Sequence, residues 1–583
     1  MDVIELETRN AVHEVPVAAQ PAQKDDSHAT PTPEPPQQHP KGVRLILLTI
    51  ALMLSILLAA LDMSIIATAI PAITTEFGSI ANIAWYGSAY SVTNSAFKLV
   101  WGKAYQYFSL KSVFLLTVLI FEIGNVICGA AQSSEALILG RVVAGVGGGG
   151  VMTGAFIIIA VSVSDEYRAA YMGVVSATFG ISSVAGPLLG GGLTDSVGWR
   201  WCFWISLPIG ALAAIMMTLT FRSPLVPRET TLRQRIIGLD LGGGALVTSF
   251  LTCFVLGMHY SGTRPWSSPR VICSLVGSVL SFIAFVLNEW KMGDKAMLHA
   301  HLLRRPDIAL NLIYVFFLAG VFFPLQFTLP VQFQSVDATS ASQSGVRLIP
   351  LILGVSIFTA VANGALTWWR HYKPFLLVGA LLATAGSASI YSVNSQASTR
   401  TWIGFELLTG MGIGLALQIP MIYNQALVTR DDIPSVTSLS LFIENIGATL
   451  FVASGEAAFT QGLVAHLKHS LPNLDPHAVV NAGATQIRTL FKGGELDMVL
   501  GSYLEHNIVL STIQKWVPMK DAIENYLRKK RDLPEQLIYV YHMSRPVFYS
   551  FLWSNLFYNS ESWSENVAVH IFAAAVRVHF NEA

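Results

Sequence analysis

The sequence predicts an all-α polytopic membrane protein, on three observations. Of 583 residues, 52% are hydrophobic and only 12% charged, where a soluble domain carries about a quarter charged residues. The charges are confined to short clusters between apolar runs of roughly 20 residues, the length that crosses about 30 Å of hydrocarbon at 1.5 Å per residue. Lys and Arg also gather in alternate loops, as they do in a chain threaded repeatedly through a bilayer.

Taken in order, residues 1–40 are polar and rich in Pro, Gln and Asp, and read as a disordered cytoplasmic tail that cannot bury enough apolar surface to order itself. They are not a cleavable signal, whose basic and apolar segments would come first. The first apolar run starts only after Lys41 and Arg44, and is itself the targeting segment. Six spans follow near 45–70, 83–101, 113–131, 136–160, 170–192 and 201–221, making an amino-terminal bundle over 41–222. A basic connection with Arg222, Arg228, Arg233 and Arg235 opens a linker, 223–305, holding an inserted pair near 240–260 and 271–288. Five more runs near 308–332, 346–366, 374–393, 402–425 and 436–460 bring the total to thirteen and fill a carboxy-terminal bundle, 306–505, with a long outer loop at 461–505.

Residues 506–583 form an atypical tail. Ile508-Val509-Leu510 soon meets Lys515, Pro518, Lys520 and Asp521, so no span fits there. The alternative for a fourteenth span, 537–558, is aromatic but contains His542, Arg545 and Pro546.

The basic loops carry Lys41 and Arg44, Lys103 and Lys111, Arg168, the Arg222 to Arg235 cluster, Lys291 to Arg305, and Arg370 with Lys373, which puts the amino terminus in the cytoplasm. Asp62 then lies about 27 Å along its helix from Arg44, and Arg141 about 10 Å from the outer end of span four. Both fall in the outer half of the membrane, so the two can form a charge pair.

Several function classes are excluded. Net charge is zero, so no basic surface argues for nucleic acid. Cys128, Cys202, Cys253 and Cys273 lie in or at the ends of apolar runs without metal-ligand spacing, and are expected as buried small side chains with no metal and no disulfide framework. No Walker lysine motif, HExxH or GxSxG occurs, and no nucleophile with a base appears in the spans, so the chain is not expected to be an enzyme.

A charged side chain at mid-span costs about 2.5 to 3.5 kcal/mol on insertion scales, so each needs a partner, a wet cavity or an end-on position. The intramembrane charges singled out are Asp62, Glu122, Arg141, Glu406, Glu444 and Glu456. A carboxylate in a low-dielectric cavity can take up and release a proton as the cavity changes sides. The blander alternative is an ion pair that positions two helices, or a hydrogen-bonding group between helices.

Glycine clusters are the second signal: Gly145-Val146-Gly147-Gly148-Gly149-Gly150 in span four, and Gly180 through Gly186-Pro187-Leu188-Leu189-Gly190-Gly191-Gly192 in span five. Small residues let backbones approach closely in lipid, and Pro187 bends its helix. The first cluster is no nucleotide site, since a phosphate loop needs a preceding strand and aqueous access.

From about Lys41 to Glu505 these residues resemble the major facilitator superfamily, specifically its fourteen-spanner drug:proton antiporter branch and the fungal exporters of toxins and secondary metabolites. The first-span element LDxTIxxxAxP is matched at Leu61, Asp62, Ser64, Ile65, Ala69 and Pro71, with Ser64 in place of Thr. The span-four arginine motif is matched by Leu137, Arg141, Gly145, Gly147 and Gly149. The span-five antiporter motif is matched by Gly186, Pro187, Gly190 and Gly191. Trp85-Tyr86 and the stretch Trp199 to Gly210 also resemble the fungal branch, and are expected as interfacial aromatics. The loop after span two departs from the superfamily pattern: Gln106 stands where an aspartate belongs, and only Gly102 and Lys111 carry over as gating-loop residues.

The resemblance implies two six-helix bundles around a central cavity, with the inserted pair between them, and export of a small organic cargo in exchange for a proton. Asp62 would carry the proton and Arg141 would tune it, with Glu122, Gln418, Asn424 and Glu444 as cavity-facing candidates. The implied cofactor is none beyond a proton gradient. The implied partners are the bilayer and the cargo, with a functional monomer in the plasma membrane, or else in a vacuolar or vesicle membrane. Rival readings are an uptake carrier for an iron chelate or nutrient, and an inactive or receptor-like relative with an aberrant end.

Overall fold

Each expected apolar run is helical in the computed structural model. The structure describes residue 40 and residues 42–505, apart from 79–82, 224–230, 338, 340, 392–398, 492 and most of 472–490. The expectations about 1–39 and about a fourteenth span at 506–583 lie outside the described residues.

The long helices are α1 (Val43–Phe77), α2 (Ile83–Tyr107), α3 (Leu110–Gly129), α4 (Ser134–Ser162), α5 (Arg168–Ser196) and α6 (Ser206–Thr220), then the inserted α7 (Leu241–Thr263) and α8 (Pro269–Met292). The chain continues with α9 (Pro306–Ser335), α10 (Ile349–Trp369), α11 (Lys373–Tyr391), α12 (Thr399–Ala416) and α13 (Ile433–Ser470). Among the described residues, twelve helical stretches are long and apolar enough to cross a membrane. Only α2 among these helices fails that test, because Thr93, Asn94, Ser95, Lys98 and Lys103 dilute its apolar face; all five are buried among neighbouring helices.

Burial sorts the helices. The most apolar window of α4 is 78% buried and that of α8 only 17%, so α4 is a core helix and α8 presents its side chains to lipid. That corrects the cysteine expectation: Cys128 and Cys202 are buried, but Cys253 on α7 is half-buried and Cys273 on α8 is exposed. Tyr86 and Trp199 also differ from interfacial aromatics, being 0% and 4% exposed.

Helices α1 to α6 pack mainly on one another, as do α9 to α13; the two groups meet where α5 crosses α10 and where α2 crosses α13. The inserted helix α7 lies against both α2 and α13. Asp240, at a φ of 48°, starts α7 by accepting from the Gly243 amide at 3.0 Å, and Asn288 of α8 donates to its other oxygen at 2.8 Å. One carboxylate thus caps a helix and ties the inserted pair together.

Two spans differ from expectation in extent. Helix α13 runs to Ser470, ten residues past the expected end at 460, because Leu463 and Leu467 continue its apolar face against Val479, Phe491 and Val499. The run at 402–425 is not one helix: it breaks at Leu417-Gln418 and resumes over Ile419–Ala426. Pro420 has no N–H to bond the Ala416 carbonyl, and its ring crowds that carbonyl.

Where α1 ends, Glu76 accepts from both terminal nitrogens of Arg200 at 3.0 and 2.7 Å and from the Trp199 indole at 2.7 Å. The Arg200 hydrogen bonds, then the Trp199 bond, hold this carboxyl below the usual carboxylate range. A lowered folded value means the contribution is present above the unfolded carboxyl's range and is lost as pH falls through the folded value. Exposed pairs of this kind contribute about 0.2 to 1 kcal/mol. Glu76→Gln should therefore unfold at slightly lower temperature than wild type at neutral pH, and the gap should close in acid. A gap independent of pH would show that the carboxylate charge is not what matters.

Candidate functional site

Helices from both groups assemble the sites, and the glycines set how close they come. A Cβ on Gly145 would lie 2.5 Å from the Tyr90 carbonyl and one on Gly149 2.5 Å from the Asn94 carbonyl, so these two let α4 lie on α2. On the neighbouring face, a Cβ on Gly147 would lie 2.3 Å from the Phe121 nitrogen of α3. The glycine run therefore seats α4 against two helices at once, with no room for a side chain on either face.

That seating brings Arg141 to Asp62. The guanidinium donates from Nη1 to Asp62 Oδ2 at 2.6 Å and from Nη2 to the Asp62 carbonyl at 3.4 Å, while Nε donates to the Tyr86 carbonyl at 2.9 Å. Its carbon lies 4.4 Å from the Tyr90 ring centre, within cation–π range. Arg141 is 1% and Asp62 4% exposed. A pair so enclosed is held by geometry and hydrogen bonds rather than by solvent.

In α5 the motif glycines divide. A Cβ on Gly186 would lie 1.9 Å from Ser64 Oγ, and one on Gly190 would lie 2.8 Å from the Ile65 carbonyl, so both fit α5 to α1 beside Asp62. Gly191 has nothing within 4 Å, and the Pro187 ring lies 3.7 Å from where a Gly345 Cβ would be. Earlier in α5, Gly180 and Gly173 face Ser356 and Asn363 of α10, across the boundary between the two helix groups.

A cavity of about 70 Å³ lies at that boundary, with Phe156, Phe179, Phe322 and Phe323 in its walls. Met63, next to Asp62, lines it, but Asp62 itself points away toward Arg141. A site for a drug-sized molecule spans roughly 300 to 1,000 Å³, so the helix groups must part before such a molecule enters.

The cavity candidates fare unevenly. Glu444 and Gln418 line it, Gln418 at the break between α12 and the next helix. Glu122 does not: it accepts from Ser206 at 3.1 Å, between α3 and α6. Asn424 does not either; it is fully buried, accepting from Asn311 at 2.9 Å and donating to Ser440 at 3.2 Å, and so clamps three helices. Of the gating-loop pair, Lys111 donates to the Thr218 carbonyl at 2.6 Å within the first helix group. Gly102 sits against α13, where its Cβ would be 2.4 Å from that of Ser438.

Sequence reasoning missed Lys98. It stands in α2, 2% exposed, and lines the cavity with Glu444. The signal was a lysine inside the run 83–101, between Phe97 and Leu99.

Residues 52–452 match the family described as Major Facilitator Superfamily. Among similar curated proteins, the MFS-type transporter grgE of Penicillium sp is 39% identical over 470 residues, covering 80% of this chain and 83% of its own. The MFS-type efflux pump MFS1 of Trichophyton rubrum is 37% identical, covering 80% and 87% respectively. The aspyridones efflux protein of Neocamarosporium betae is 37% identical, covering 81% and 83%. Among solved structures, the human organic anion transporter MFSD10 aligns with a TM-score of 0.51 at 15% identity, over 80% of this chain and 99% of that one. The proton:xylose symporter XylE aligns equally well, at 0.51 and 12% identity, over 80% and 95%. At these identities the two structures share a fold with this chain.

Proposed function

We propose, from the premise that this chain belongs to the major facilitator superfamily of membrane transporters, that it exports small organic molecules of the secondary-metabolite kind in exchange for protons. The family and fold are those of multi-pass carriers, not enzymes. The observation that carries the finer reading is the Asp62–Arg141 pair, enclosed behind the wall of a cavity that lies between two helix groups. Opening the cavity to one side at a time would move cargo, and water reaching Asp62 in one of those states would exchange its proton.

On the reading that the amino terminus is cytoplasmic, the close approach of Gly102 to Ser438 would join the two helix groups at their cytoplasmic end. Efflux of labelled hydrophobic compounds from cells expressing the full chain tests the proposal, with and without an uncoupler. Wild type should show uncoupler-sensitive efflux, and Asp62→Asn should lose it at equal surface expression. Efflux indifferent to the uncoupler would remove the proton from the mechanism. Retention of every compound by correctly placed protein would remove export itself.

A further inference from the structure

Lys98 takes no part in the Asp62 site. It belongs to α2, is 2% exposed, and faces the cavity. An ammonium has three protons to donate, yet among the described residues Lys98 makes no hydrogen bond and no ion pair. The opposite charge that acts on it is Glu444 of α13, which lines the same cavity. The two stand on different helix groups and no bond joins them.

A lysine kept for scaffolding would be held by its neighbours, as Arg141 is, because an unbonded charge is costly in the low-dielectric interior. Lys98 instead lines a chamber walled by four phenylalanines, which Ser176, its hydroxyl unbonded, also lines. A mostly apolar cavity with a few convergent polar groups is the usual form of a small-molecule site.

The geometry points to Lys98 as the anchor for an anionic cargo: a carboxylate or similarly acidic oxygen on an aromatic or unsaturated body. Once the helix groups part to admit it, the anion meets the ammonium and the body lies among Phe156, Phe179, Phe322 and Phe323, while Glu444 serves as the counter-charge when the cavity is empty. This rests on the reading above that the cavity is where cargo binds.

The test is binding of pyrenebutyric acid and its methyl ester, by fluorescence, to the purified full chain in lipid nanodiscs at neutral pH. The acid should bind wild type at least tenfold more tightly than the ester. Lys98→Met should bring that ratio close to one, and Lys98→Arg should keep it. Glu444→Gln, which removes the internal competitor, should tighten acid binding several-fold. Equal affinity of acid and ester for wild type, or an acid preference that survives Lys98→Met, overturns the assignment. So does a loss of both ligands together in Lys98→Met when Lys98→Arg restores neither. Efflux of the same two compounds from cells separates this from the export proposal. Acid preference without efflux supports the anchor and sinks export, whereas efflux without acid preference sinks the anchor alone.

Discussion

Arg141→Met is expected to produce a protein that barely accumulates in folded form. It strands the Asp62 carboxylate, 4% exposed, without the guanidinium 2.6 Å away. Breaking a buried pair from one side costs about 3 to 5 kcal/mol, a large part of the roughly 5 to 15 kcal/mol that holds a protein together. Removing both charges is a different perturbation. Asp62→Leu combined with Arg141→Met leaves no stranded ion and should recover most of the lost stability, read as thermal unfolding of the detergent-purified chain. The same double variant should show no uncoupler-sensitive efflux. If it folds and still couples to protons, the pair is scaffold. If it unfolds as readily as Arg141→Met, the ion pair is not what Arg141 contributes.

Gly190→Val is expected to be nearly as damaging, while Gly191→Ala, one residue on, is harmless to folding. A Cβ at 190 would stand 2.8 Å from both the Ile65 carbonyl and its Cγ1, and α5 would have to lift off α1. Overpacking of that sort costs about 1 to 3 kcal/mol. At 191 a Cβ meets nothing within 4 Å, and alanine improves helix propensity by up to about 1 kcal/mol over glycine. Thermal unfolding of the two variants should differ in sign. Equal destabilisation at both positions would mean that α5 is seated differently. Gly191→Ala that folds well and does not transport would place the role of Gly191 in the other arrangement of the helices.

Much of this was legible before any coordinates. The apolar runs became helices, because in lipid a continuous apolar run has no other way to satisfy its backbone. The common depth of Asp62 and Arg141 followed from a fixed rise per residue, and the two side chains do pair. What depth cannot give is the face. Glu122 sits as deep as many cavity residues but turns toward Ser206, and the turn is set by a neighbour, Gly210, whose missing side chain makes the space. The glycines announced close approach without naming partners: Gly147 meets α3 and Gly149 meets α2 from within one run. Lys98 was lost inside the apolar pattern around it, and Glu444 comes from the far half of the sequence.

The two charge couples differ in membership. Asp62 and Arg141 both ride on the first helix group, with Tyr86 of that group bracing the arginine, so rocking of one group against the other leaves the couple intact. Lys98 and Glu444 ride on opposite groups. Truncating either member of the first couple strands its mate inside one helix group, whereas the second couple has no bond to break. On the proposed function, lineages diverging from a common ancestor would keep the first couple and let the second wander, changing the cargo while the proton step stays the same.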